Sequence, residues 1–138
     1  MVQLIIGEKG KGKTKILLEK ANSAIKEANG NIVYLDKSKQ HMYELNNRIR
    51  LIDVAAFPVE NFDGLTGFLC GLISRDNDLE QIYLDSFLKI AGLEGQDINP
   101  ALDRISGLSD RYKVDFIISI STTRDKLSEA HQAEVIHE

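Results

Sequence analysis

The stretch GEKGKGKT at residues 7–14 constrains this chain more than any other, because of what flanks it. The apolar run Leu4-Ile5-Ile6 before it reads as the end of a buried strand, and helical periodicity follows it. A strand that passes into a helix through glycines and lysines points to an α/β layout, with the loop at the carboxyl end of the strand. Glycines let the backbone turn at positive φ, so that successive N–H groups face one concavity. The amino end of the following helix adds about half a positive charge. A phosphate is the ligand such a concavity suits.

The rest of the chain repeats the alternation of strand and helix. Residues 14–28 read as a helix, with Ile16, Leu17, Ala21, Ala24, Ile25 and Ala28 at helical spacing and Asn29-Gly30 as the stop. Strands are expected at 3–6, 31–36, 49–54, 81–87 and 115–121, and a terminal edge strand at 133–136. Met42 and Leu45 suggest a short helix at 39–47. Residues 62–74 read as a helix whose Gly64, Gly67 and Gly71 share one face, a pattern expected for close packing because each glycine weakens a helix by about 1 kcal/mol against alanine. Asn99 and Pro100 look like an N-cap and first helical residue. Thr122 with Asp125 resembles a capping box opening a last helix. Several strands are nearly continuous in apolar residues, which predicts a three-layer α/β/α fold around a mostly parallel sheet.

The 138 residues predict one domain, 1–138, able to bury a core without staples. Lys plus Arg number 17 against 21 Asp plus Glu, and this acidic balance does not indicate nucleic acid as a partner. Cys70 is the only cysteine, so no internal disulfide can form and a reducing, cytoplasmic setting is expected. Its apolar surroundings predict an inert core thiol. No apolar run approaches the roughly 18 residues of a membrane span, and Val2 to Ile6 is too short for a signal-peptide core. His41, His131, His137 and Cys70 make no zinc spacing.

Gly7, four residues, then Gly12-Lys13-Thr14 match G-x-x-x-x-G-K-[ST] at every fixed position, between an expected strand and an expected helix. On this Walker A motif and a candidate Walker B strand, Ile82-Tyr83-Leu84-Asp85, the chain resembles the P-loop NTPases. The order of elements resembles their RecA-like branch. The resemblance implies ATP and Mg²⁺ as ligands, with Gly7, Glu8, Lys9, Gly10, Lys11, Gly12, Lys13, Thr14 and Lys15 as the nucleotide-binding loop. Lys13 would reach the β- and γ-phosphates, and Thr14 and Asp85 would hold the metal. Asp36 is the chief competitor to Asp85, and Asp53 a weaker one. Ser121 or Thr122, after the strand FIISI, would sense the γ-phosphate or the attacking water.

Asp85 is followed by Ser86, where such ATPases often carry a glutamate. A serine hydroxyl is a poor base at neutral pH, although it can orient water. No other glutamate is placed at the site by sequence. Slow hydrolysis is therefore expected, unless a partner completes the site with an arginine, for which Arg75, Arg104, Arg111 and Arg124 are eligible. The DxxG and NKxD patterns of GTPases are absent, which leaves ATP as the default. A slow or partner-activated Mg-dependent ATPase is the leading expectation. The alternatives are a small-molecule kinase, for which Asp36 would be the substrate-facing acid, and a non-catalytic nucleotide switch or subunit. A protein partner or a second copy of the chain would dock through the helix at 62–74.

Overall fold

The structure, a computed structural model, describes residues 1–10 and 12–138. Strands β1 (Val2–Ile6), β2 (Asn31–Asp36), β3 (Arg50–Asp53), β4 (Leu79–Leu84), β5 (Asp115–Ile120) and β6 (Val135–His137) form one sheet in the order β3-β2-β4-β5-β1-β6. Every pairing is parallel. All six carboxyl ends therefore lie at one edge of the sheet.

Helices cover both faces, as parallel strands buried on both sides require. Helix α1 (Lys13–Ala24) lies on one face, where its Leu17, Leu18 and Ala21 pack on Ile5, Tyr34, Tyr83 and Ile117. On the other face lie α2 (Phe62–Arg75), α3 (Phe87–Ala91) and α4 (Asn99–Tyr112). Their Leu65, Leu69, Phe87, Leu102 and Ile105 pack on Leu4, Ile6, Leu35, Leu84, Phe116 and Ile118. Successive strand residues point to opposite faces, which is why these strands are apolar at nearly every position. Burying each such side chain favours folding by about 1.5–3 kcal/mol.

Several local expectations are corrected. The strand expected at 81–87 stops at Leu84, because Ser86 is left-handed (φ 53°) and Phe87 opens α3. Residues 39–47 hold only a 3-10 turn, Met42–Glu44; Met42 is exposed while Leu45 is buried. A segment with two apolar anchors does not offset the cost of helix nucleation. Helix α4 is capped by Ile98, so Asn99 and Pro100 are its first two residues. The Asn99 side chain instead donates to the Lys126 carbonyl at 3.0 Å. Thr122 opens no helix: a 3-10 turn, Arg124–Lys126, follows it, and α5 (Glu129–Gln132) is capped by Ser128. The edge strand is found at Val135–His137, paired with β1.

The glycine face of α2 packs only at its start, where a Cβ added at Gly64 would lie 3.3 Å from Asn61 Oδ1 and 3.8 Å from the Val59 Cα. A Cβ added at Gly67 or Gly71 meets nothing within 4 Å, and Cys70 is exposed rather than buried. Only the opposite side of α2, with Leu65 and Leu69, reaches the core. Among the described residues, no helix is long and apolar enough to cross a membrane.

Candidate functional site

The glycine loop leaves β1 and enters α1 through two backbone positions that an L side chain seldom adopts, Gly10 at φ 82° and Gly12 at φ 79°. Open space surrounds both, so the requirement for glycine there is conformational rather than steric. Gly12 caps α1 without a side-chain hydrogen bond, and the first turn carries no acid. Among the described residues, no side chain is a partner of the amides at the amino end of α1. Lys13 donates through Nζ to the Glu8 carbonyl at 2.8 Å, bridging the loop. Burial lowers the Lys13 pKa, against which the Asp85 carboxylate pulls upward.

Strand alternation supplies the acids. Tyr34 and Asp36, Tyr83 and Asp85, and Ile117 and Ser119 lie at every second position, so these polar ends share the face that α1 covers. Asp85 lies one residue past β4 and continues the ladder, its N–H donating to the Leu35 carbonyl at 2.9 Å. The two carboxylates of Asp36 and Asp85 therefore end neighbouring strands. Asp85 is buried and well partnered. Its Oδ1 accepts from the Thr14 hydroxyl at 3.2 Å, the Ser119 hydroxyl at 2.8 Å and the Ser86 N–H at 2.8 Å. Its Oδ2 accepts from the Tyr34 phenol at 2.9 Å. Burial and the Asp85 carboxylate keep that phenol far above its ordinary pKa, so it remains a donor. Tyr34 is itself held by the parallel ring of Tyr83, 6.0 Å away.

Asp36 is buried too, and accepts from the Lys37 N–H at 2.7 Å. Burial, and then the neighbouring Asp85 charge, push its carboxyl up to about 6. Asp53 is remote in role: it ends the edge strand β3 and accepts from the Ala55 N–H, capping the next turn.

A cleft of about 390 Å³ opens over these groups. Lys9, Gly10, Gly12, Lys13, Thr14, Asp85 and Ser86 line it, so the loop expected at 7–14 and the acid expected at 85 meet there. Gly7 and Glu8 are not among the lining residues, Lys15 is exposed on α1, and Lys11 lies outside the described residues. Ser121 lines the cleft, while Thr122 is buried and does not. Among the described residues no arginine lines it: Arg104 pairs with Asp63 and Arg124 with Glu138.

Sequence reasoning missed several of the lining residues. Lys37 and His41 come from the segment after β2, Lys89 from α3 and Glu94 from the loop after it. Phe87 and Leu88 form an apolar wall. Ser119 and Tyr34 had a legible signal, each being a polar group inside an otherwise apolar buried strand. Glu94 had none, because a tertiary turn brings it over. The donors facing one another at Thr14 and Asp85 are hard oxygens, which suit Mg²⁺. No model of a known protein family matches this chain, and no curated protein is significantly similar to it in sequence.

Proposed function

We propose that this protein is a P-loop, RecA-like ATPase that binds Mg–ATP in the cleft above α1 and hydrolyses it slowly in the absence of a partner. One observation carries this: the glycine loop sets the Thr14 hydroxyl 3.2 Å from the Asp85 carboxylate, at the mouth of a lysine-lined cleft. The uncapped amides at the start of α1 and the ammonium of Lys13 would bind the phosphates. Thr14 and Asp85 would hold Mg²⁺, which when bound neutralises charge on the phosphates. Phe87 and Leu88 offer the apolar surface on which a base can lie.

Glu94 is the carboxylate best placed to polarise water, since it lines the cleft and Ser86 is a poor base. Ser86 lines the cleft as well, its N–H fixed on Asp85, and would orient the water. Among the described residues no arginine lines the cleft, so no guanidinium of this chain supplements Lys13 and the metal at the transferring phosphoryl group, which is why slow turnover is expected without a partner.

ATP labelled at the γ-phosphate tests the proposal. Release of free labelled phosphate, reduced at least tenfold in Glu94→Gln with nucleotide binding retained, is the expected result. Label transferred to an added small molecule would make the protein a kinase, with Asp36 as the acid nearest the acceptor. Tight binding with neither product would make it a switch. Absence of nucleotide binding would defeat all three.

A further inference from the structure

A second concavity, of about 540 Å³, lies at the opposite edge of the sheet, where β2, β3 and β4 begin. Three guanidinium groups line it, those of Arg48, Arg50 and Arg75. Arg48 approaches from the α1 side, where its Nη1 donates to the Ile25 carbonyl at 3.3 Å. Arg50 opens β3, and Arg75 ends α2 on the far face of the sheet. Among the described residues, none of the three forms an ion pair.

Among the described residues, the only acid lining this pocket is Asp76. Both its oxygens are engaged, Oδ2 by the Asn31 amide at 2.8 Å and Oδ1 by the Asp78 N–H at 2.9 Å. Three cations against one committed carboxylate leave an excess of about two positive charges in a chain whose net charge is −4. The floor is apolar, formed by Ile32, Val33, Leu72 and Leu79. The volume falls within the range of small-ligand pockets, about 300–1,000 Å³.

We propose that this pocket binds a small phosphorylated ligand with an apolar body. The guanidinium fork matches phosphate oxygens in pairs, and a dianion matches the excess charge as a single carboxylate does not. Leu72 and Leu79 would receive the apolar portion. Because the pocket is at the edge remote from the glycine loop, this site stands whether or not ATP binds there.

Titration of the ¹⁵N-labelled protein with phenyl phosphate, followed by amide chemical shifts, tests the assignment. Saturable shifts are expected at residues 31–33, 48–50 and 72–79, separable from any at residues 7–14. The double variant Arg50→Gln, Arg75→Gln is expected to lose at least tenfold in affinity at the first set and to leave the second unchanged. Both arginines are exposed, so the spectrum of the variant should remain that of a folded chain. Phenol, the body without the phosphoryl group, is expected to produce no saturable shift there. Shifts confined to residues 7–14, shifts that never saturate in the wild type, or an equal response to phenol would each overturn the proposal.

Discussion

The Asp85 carboxylate takes three hydrogen bonds on Oδ1 and one, from Tyr34, on Oδ2. Tyr34→Phe removes that single donor and leaves a buried acceptor unpaired, so a stability loss of about 1–3 kcal/mol is expected in urea unfolding. If Asp85 serves the metal, the same variant should also shift the Mg²⁺ concentration needed for nucleotide binding; a purely structural carboxylate would leave that midpoint unmoved. Asp36 makes a prediction about pH. Its folded-state pKa of about 6 lies above the ordinary carboxylate value of 3.8. Below the lower value the carboxyl is protonated both folded and unfolded, and the shift has no effect. As pH rises toward 6 the unfolded chain gives up its proton first, so this group lowers stability progressively, and fully above 6. Asp36→Asn should therefore gain stability relative to wild type as pH rises from about 4 to 7, read from denaturation midpoints across that window. A constant difference would show that the Asp36 carboxyl titrates normally.

Helix α2 was expected to keep its glycines for close contact, and among the described residues only Gly64 makes one, with Asn61 and Val59. Gly67 and Gly71 face open space, so replacing either with alanine should stabilise the protein by about 1 kcal/mol through helix propensity alone. Thermal unfolding of Gly67→Ala and Gly71→Ala measures this directly. If a partner or a second copy packs on this face, the same substitutions should weaken that association while the isolated chain becomes more stable. At the other end of the chain, His131 fastens α5 to α4 through Asp103, a connection that no spacing in the sequence reveals, and pairs locally with Glu134 three residues on. Burial opposes charge on this imidazole, but the two carboxylates outweigh it and hold its pKa above the usual histidine value.

For the whole molecule, binding at the proposed site must appear as stability, because a ligand that binds only the folded state shifts the unfolding equilibrium. Mg–ATP at about a hundred times its dissociation constant should add about 2.7 kcal/mol. In a chain of 138 residues that corresponds to a rise of about 10 °C in Tm. Lys13→Ala should abolish most of that rise and leave the unliganded Tm within a degree or two. The reason is that the Lys13 ammonium bonds within the loop, to the Glu8 carbonyl, and among the described residues its side chain bonds nothing in the core. A full ligand-induced rise in the variant would mean that the phosphates bind elsewhere.

The local chemistry of the chain was legible in its sequence. Glycine spacing after an apolar run placed the loop, and continuous apolar strands announced a sheet buried on both faces. The acid at the end of an apolar strand in a sheet expected to be parallel put Asp85 at the same edge as the loop. These features depend on neighbours in the chain. What escaped depends on contacts across many residues. Glu94 reaches the cleft only because the left-handed Ser86 turns the chain into α3, and the three arginines of the second pocket come from the turn before β3, the start of β3 and the end of α2. Sequence by itself determined the sheet, its loop and the acid at 85; tertiary structure alone decided which distant side chains share a cavity with them, because proximity across a fold is set by packing rather than by spacing.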